Sequence, residues 1–317
     1  MTQYPFPPYI LIFAMHISDP EALAQQLALH PDYRILRRLA LPNPLGNDLG
    51  QPLARGMVID TETTGLSPQQ DCLIELGLLL FDYDPITGQP IHLVSSYQSF
   101  DNPGYPIPAE ITALTGITDE MVAGKTLDVT KLQKLLTGVS VVIAHNAAFD
   151  RPFLEKRLPF FREVPWGCSL QDIPWKQEGI SSKKLDYIAC QLGFFFDGHR
   201  AIEDCQALLR ILSLPLPRSS THGLQHILAK QADTSFVVYA SGAPFSRKDE
   251  LKARRYRWNP ERKVWSLEVL GNPAFEAEKL WLSQIIYDGR SAFIDVEIRD
   301  AIHRYSSVAV PCQRIAL

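Results

Sequence analysis

Cysteine is scarce in this chain, and what there is makes no pattern. Cys72, Cys168, Cys190, Cys205 and Cys312 are odd in number, scattered, and never spaced C-x-x-C. That excludes a zinc ribbon or a disulfide frame and reads as reduced, mostly buried thiols in a cytoplasmic protein. Net positive charge is missing too: the formal charge is −4. A chain that is basic overall would carry the broad signature of a nucleic-acid binder. Here any polyanion must be met by local patches or by metal ions. Long apolar runs are absent. The run Tyr9-Ile10-Leu11-Ile12-Phe13-Ala14-Met15 is too short to span a bilayer and has no basic segment ahead of it, so neither a membrane partner nor a signal peptide is expected. There is no internal repeat and no low-complexity tract. What remains is 317 residues, 46% hydrophobic and 21% charged. That is enough for a real core, as one large domain with additions or as two to three domains.

The stretch Met57-Val58-Ile59-Asp60-Thr61-Glu62-Thr63-Thr64-Gly65-Leu66 stands out. An apolar strand ends in two carboxylates spaced i, i+2, which a strand projects from one face. Like charges side by side are costly unless a cation neutralises them, and hard divalent cations take oxygen ligands of this kind. A plain polar strand end running into a Thr-Gly turn is the other reading, and the stretch alone does not decide between them.

Around it the chain divides into four. Residues 1–53 are a helical lead-in. Its helix starts at Ser18-Asp19-Pro20-Glu21, with Ser18 or Asp19 as cap, and runs to about Leu29. Residues 33–39 are a strand or short helix, and Arg34, Arg37 and Arg38 read as a solvated face, with a nucleic-acid contact as the other reading. Residues 54–213 read as an α/β unit. Its strands are Val58–Asp60, Leu73–Tyr83 and Ile91–Phe100, the last two antiparallel through a turn at Gly88. Short helices start near Ile107, Asp119 and Val129. A buried strand follows at Val139–Ala144, then helices at Asp150–Leu158, Leu185–Leu192 and Arg200–Leu212. This order implies a mixed sheet with helices on its faces. Residues 214–223 read as a linker. Residues 224–317 form a small α+β unit with strands at Phe236–Ala240 and Val264–Val269, helices at Lys248–Arg255 and Pro273–Ile286, and a tail after Ile286.

Two more carboxylates arrive downstream. Asp150 closes Ala144-His145-Asn146-Ala147-Ala148-Phe149-Asp150 after the buried strand, a place where Asp also serves as an ordinary helix cap. His199 and Asp204 lie in Gly198-His199-Arg200-Ala201-Ile202-Glu203-Asp204. On one helix they would be about 140° apart. They share a site only if His199 sits in the loop ahead of the helix, which Gly198 permits.

Asp60-x-Glu62, His-Asn-x-x-Phe-Asp150 and His199-Arg-Ala-x-x-Asp204, in this order, resemble the three motifs of the DEDDh 3′–5′ exonucleases, the family of the proofreading epsilon subunit of DNA polymerase III. Residues 111–118 and Lys184-Leu185-Asp186 add to the likeness, which covers about 55–213. The resemblance implies a ribonuclease H-like fold: an α/β domain with a mixed five-stranded sheet flanked by helices. It implies two divalent ions, Mg²⁺ or Mn²⁺, held by Asp60, Glu62, Asp150 and Asp204, with His199 as general base. It also implies that Glu62 bonds the terminal 3′-hydroxyl. Main-chain groups of the Thr61-Thr63-Thr64-Gly65 segment would face the last nucleotide, Leu66 and Ile117 would wedge its base, with ordinary core as the other reading of each, and Asn146 would touch the strand. The chemistry agrees: two metals can activate water and stabilise attacking and leaving oxygens, and His suits proton transfer near neutrality.

Other residues read as structure. Glu75, in an apolar strand, pairs with Arg or His or stands behind the metal ligands. His145 is structural rather than catalytic, Trp166, Cys168 and Trp175 read as packing ahead of aromatic stacking on bases, and Asp172 has no catalytic role. From 247 to 263 the chain carries eight basic and three acidic residues with Tyr256, Trp258 and Trp265 among them. Lys248, Lys252, Arg255 and Trp258 are therefore candidate contacts to phosphate and base. The expectation is a metal-dependent 3′–5′ exonuclease acting on DNA rather than RNA, with a polymerase or repair partner. An RNA-trimming enzyme, or a non-catalytic polymerase-associated binding protein, is the rival.

Overall fold

The computed structural model describes residues 19–317. The expected Ser18 cap and the apolar run 9–15 lie outside the described residues. The described residues up to Arg37 fall in a unit of their own. Its helix, Pro20–Ala28, is capped by the Asp19 carboxylate, which accepts from the Glu21 N–H at 3.0 Å. Arg37 is ion-paired with Glu21, so it is not simply solvated. Of the stretch 33–39 only Arg37–Arg38 is strand.

From Arg38 onward the chain is a second unit. It takes in part of the expected lead-in, because Leu45 is buried and its N–H donates to the Ile91 carbonyl at 2.7 Å. The first sheet contains β1 (Ala54–Thr63), β2 (Leu73–Tyr83), β3 (Pro90–Phe100), β4 (Val139–Ala144) and β5 (Trp166–Cys168), in the order β3-β2-β1-β4-β5. The first three are antiparallel; β4 runs parallel to β1, and β5 parallel to β4. This is the ribonuclease H-like mixed sheet.

Two cores flank it, and strand parity assigns residues to them. Met57 and Ile59 join Leu132, Leu136 and Leu154 of helices Val129–Leu136 and Ala147–Arg157 on one face. Val58 joins Leu208, Leu209 and Leu212 of helix Ala201–Ser213 on the other. β1 begins four residues earlier than expected because Arg55, polar and placed before the apolar run, pairs with Asp82 at 2.9 Å. β5 went unforeseen: it is three residues long and centred on a glycine. A Cβ on Gly167 would lie 2.2 Å from the Ile227 side chain, so the glycine lets helix Gly223–Ala232 pack against the strand.

That packing also moves the expected division at 224. Leu224 and Ile227 belong to the first core, and the 214–223 stretch is pinned, with Leu216 buried and the Glu178 carboxylate accepting from the Arg218 and Ser219 N–H groups. Beyond it lies a second, wholly antiparallel sheet: β6 (Ser235–Tyr239), β7 (Arg257–Asn259), β8 (Val264–Leu270), β9 (Phe293–Arg299) and β10 (Cys312–Ala316), in the order β10-β9-β6-β8-β7. Phe236, Val238, Ile294 and Val296 face Leu251 and Phe275 of helices Lys248–Ala253 and Asn272–Trp281.

The expected tail after Ile286 is wrong. β9 sits beside the central strand, and the segment after it straps onto the first sheet's unit. Ala301 O accepts from Trp166 N at 3.1 Å, and the Tyr305 hydroxyl donates to Asp172 at 2.6 Å. The strap's partners lie more than a hundred residues away, so local pattern could not show it. Among the described residues no helix is long and apolar enough to cross a membrane.

Candidate active site

Parity decides which carboxylates meet. Asp60 and Glu62 share the face of Val58, the side covered by helix Ala201–Ser213. Asp60 lies opposite Gly77 on β2. A Cβ on Gly77 would come within 2.5 Å of the Ala201 carbonyl carbon and 2.6 Å of the Ile202 nitrogen. The glycine thus lets the start of that helix lie directly on the strand. Glu75, fully buried, anchors the same start: it accepts from Arg200 at 2.9 Å, from the Ala201 N–H at 3.2 Å and from Gln98 at 2.7 Å. Its expected pairing with Arg is what the structure contains. Asp204, in the first turn of this helix, is thereby brought to β1. Ligand oxygens of Asp60, Glu62 and Asp204 lie within 4.8 Å of one another.

Asp150 arrives from the other side. It is buried in the first turn of helix Ala147–Arg157, and it is not that helix's cap: Asn146 holds the cap position, with φ 94°. Thr61, between the two β1 acids, points to this face. Its N–H and hydroxyl donate to Asp150 Oδ1 at 3.1 and 2.8 Å. The strand thus carries two acids on one face and holds a third through Thr61 on the other. His199 lies in the loop ahead of helix Ala201–Ser213, with φ 70°, as its partnership with Asp204 requires. Its backbone N–H donates to Asp204 Oδ2 at 2.9 Å, and the residue is exposed to solvent.

The electrostatics follow from this crowding. Burial, then the charges of Asp150, Asp204, Glu62 and Glu75, push Asp60 well above the usual carboxylate range. Burial, then Asp204 and the other acids, raise Glu62 to about 8, against the opposing charge of Arg200. Burial raises Asp150 to about 7 despite the Thr61 hydrogen bonds, and Asp204 to about 6 despite the His199 N–H. Four carboxylates are thus gathered, with Arg200 opposing their mutual repulsion only in part, and their donor set is all oxygen. That fits hard divalent ions, which relieve such repulsion.

Residues 57–212 match the family model described as Exonuclease, RNase_T. This segment belongs to that exonuclease family. Among curated proteins, it is similar to the PolC-type DNA polymerase III of Clostridium perfringens, 34% identical over 162 residues that cover 49% of this chain and 11% of that protein. It is also similar to the DNA polymerase III epsilon subunit of Treponema pallidum, 27% identical over 49% of this chain and 73% of that protein. The chain spans only 11% to 12% of the length of the first PolC-type relatives it matches. Among solved structures, exonuclease X in complex with 5′ overhanging duplex DNA is 25% identical, with a TM-score of 0.38, covering 49% of this chain and 86% of that one. The nuclease domain of 3′hExo, a DEDDh family member, bound to rAMP, is 18% identical, with a TM-score of 0.40, covering 50% and 89%.

The exonuclease domain places the remaining expected residues unevenly. Thr63 and Thr64 are buried and spend their hydroxyls inward: Thr63 on the Gly65 carbonyl at 2.6 Å, Thr64 on the Tyr105 hydroxyl at 2.6 Å. Gly65 lies against the Asp71 carboxylate, and Leu66 is 84% exposed, free to meet a base. Ile117 is not. It is fully buried with Ile74, Ile107 and Val122, so it is core and cannot wedge a base in this arrangement. Asn146 is exposed at the helix start. His145 is structural as expected, bonded at 2.8 Å to both Ser169 and the Lys183 carbonyl.

In the C-terminal sheet Tyr256 is core, its hydroxyl on Glu278, so it does not interleave with the charges as expected. Trp258 is half exposed against Trp265, Lys252 lies 6.0 Å from the Trp265 ring, Lys248 lies 4.5 Å from the Phe245 ring, and Arg255 is exposed with φ 70°. Sequence reasoning missed Gly77 and Arg200. The one visible signal was Gly77 interrupting a run of leucines.

Proposed function

We propose that this chain is a metal-dependent 3′–5′ exonuclease acting on DNA and releasing nucleoside 5′-monophosphates. The observation that carries the reading is the convergence of Asp60, Glu62 and Asp204 oxygens within 4.8 Å, with Asp150 tied to the strand between them through Thr61. In this reading Asp60, Glu62, Asp150 and Asp204 hold two Mg²⁺ or Mn²⁺ ions. Bound there, the ions supply Lewis-acid stabilisation to the attacking and leaving oxygens of the phosphodiester.

The protein's own part is positioning and proton transfer. Glu62 accepts the terminal 3′-hydroxyl. Leu66 offers an apolar surface to the last base. Asn146, exposed at the start of the helix that carries Asp150, contacts the strand. His199 takes the proton of the attacking water at its imidazole. Its loop position, with the backbone tethered to Asp204 and the ring toward solvent, suits a base that must recharge each turnover. DNA is preferred because the curated relatives are named as DNA polymerases.

Matched single-stranded DNA and RNA oligonucleotides, 3′-labelled in one set and 5′-labelled in another, test polarity and sugar together. The expected result is stepwise loss from the 3′ end, faster on DNA. Faster trimming of RNA would reassign the substrate. Asp60→Asn, which keeps the shape of the side chain, should abolish hydrolysis while oligonucleotide binding persists; unchanged hydrolysis by that variant would refute the site.

A further inference from the structure

One face of the second sheet lies under its helices; on the other, Ser235, Tyr239 and Glu297 are buried, Val237 is half-buried and Glu268 is exposed. Parity puts Phe236 and Val238 under the helices, and Ser235 and Val237 on the opposite face. Across the ladder, Val237 is flanked by Glu268 and Glu297, and Ser235 by Leu270 and Arg299. Two cavities lie over this opposite face, of about 490 and 710 Å³, and they share Glu268 and Arg299. Together they make one groove. Its far end is at Arg255 and Arg257. Its near end is on the exonuclease domain, at Ala148 and Pro152 of the helix that carries Asp150, on the face turned away from that acid.

The lining is polar and mainly basic. Arg299 is paired with the buried Glu297 at 2.6 Å and Arg304 with Asp172, so Lys230, Arg255 and Arg257 are the cations left to face a ligand, against Glu268, and Ser235, Ser266, Ser306 and Ser307 add hydroxyls. Asp172 is already engaged by Arg304 at 3.4 Å and Tyr305 at 2.6 Å, which leaves Glu268 as the exposed carboxylate. The strap after β9 forms the wall that joins the two units, so the groove is a built feature of the fold. A basic groove with hydroxyls and exposed guanidinium planes is what the backbone and bases of a single strand require.

We propose that this groove holds the single-stranded DNA on the 5′ side of the 3′ terminus being cleaved. The proposal rests on the exonuclease reading above. It places the strand on the sheet face opposite the helix that carries Lys248 and Lys252.

The test is substrate length. Arg257→Glu, Arg255→Glu and Lys230→Glu are compared with Lys248→Glu and Lys252→Glu, on a dinucleotide and on a 20-nucleotide single strand. Binding of a fluorescent 20-mer is measured in parallel, in EDTA and across a salt series. The groove variants should raise KM for the 20-mer, leave kcat and all dinucleotide kinetics unchanged, and each lower the slope of log affinity against log salt by about one. The Lys248 and Lys252 variants should match wild type. Equal effects on dinucleotide and 20-mer, or no effect of the groove variants on the 20-mer, overturn the groove. A KM rise confined to Lys248→Glu and Lys252→Glu moves the strand to the other face and also overturns it. If wild type cleaves neither substrate, the exonuclease reading fails; weaker EDTA binding by the groove variants would still uphold the groove as a strand site, and unchanged binding would remove it as well.

Discussion

Arg151 is the residue whose loss should be felt most for a position outside the site itself. It follows Asp150 in the same helix and is 1% exposed. Its Nε donates to Glu155 at 2.6 Å, its two terminal nitrogens donate to the Arg304 and Ile302 carbonyls, and its guanidinium lies 5.4 Å from the Trp166 ring centroid. Glu155 is equally buried, and its other hydrogen bond comes from the Ser306 hydroxyl at 2.7 Å. Arg151→Met keeps most of the volume and removes every donor. A buried carboxylate then keeps one hydroxyl partner, and two strap carbonyls lose theirs. Removing one side of a buried pair costs about 3–5 kcal/mol. Surface pairs are screened by solvent and contribute little, so Arg314→Met, which breaks an exposed pair with Asp295, is the control. Urea unfolding followed by tryptophan fluorescence suits the question because Trp166 packs directly under Arg151. The expected outcome is a lower midpoint for Arg151→Met, by several times the shift of Arg314→Met. Tyr305→Phe should fall between them. It deletes one hydroxyl donor to Asp172, worth about 1.5–3 kcal/mol, and leaves the Cys168 N–H at 2.8 Å in place. If Arg151→Met and Arg314→Met unfold at the same midpoint, the strap is not holding the helix and the reasoning fails.

Gly77→Ala should move the start of helix Ala201–Ser213 off β2, since the new methyl would meet backbone at 2.5 Å; a loss of about 1–3 kcal/mol and a matching fall in kcat are expected, and wild-type activity at wild-type stability would refute the close approach. His199→Gln should lower kcat about 10²- to 10⁴-fold and flatten the acid limb of the pH–rate profile, while an unchanged profile would remove His199 as the base. In metal-free protein Glu62, Asp150 and Asp204 titrate higher folded than unfolded, at about 8, 7 and 6. Their protonated forms are favoured by the fold, so stability should decline as pH rises from about 4 toward 8. Melting at pH 5 and pH 8, in EDTA or, after its removal, in Mg²⁺ or Mn²⁺, checks this: the ion should stabilise far more at pH 8, and equal stabilisation at both would contradict a shared site.

The acids were legible because each sits at a place where local pattern is strong: a strand end, a strand-to-helix turn, a helix start. What joins them was not. That Thr61 would turn to Asp150 follows from strand parity only once helix Ala147–Arg157 is known to cover that face. That Asp204 would reach Asp60 depends on Gly77, whose role appears only when Ala201 is seen lying on it. Ile117 shows the opposite failure: a motif position read as a base contact is consumed by a small core with Ile74.

The C-terminal part was hardest to read. Arg151 and Glu155 pair four residues apart, yet both are buried under strap groups from about 150 residues on, and Asp172 is buried with Arg304, 132 residues away. Their mutual satisfaction bears on how the second sheet can be studied. Removing residues 224–317 deletes Ile302, Arg304, Tyr305 and Ser306, the partners of Arg151, Glu155 and Asp172, and it also strips Leu224 and Ile227 from the first core. Such a truncation therefore cannot isolate substrate binding. The truncation would strip the support from the helix that presents Asp150, and turnover would fall with it. Charge reversals at Arg255 and Arg257, which leave the strap intact, separate strand holding from support of the site where a truncation merges them.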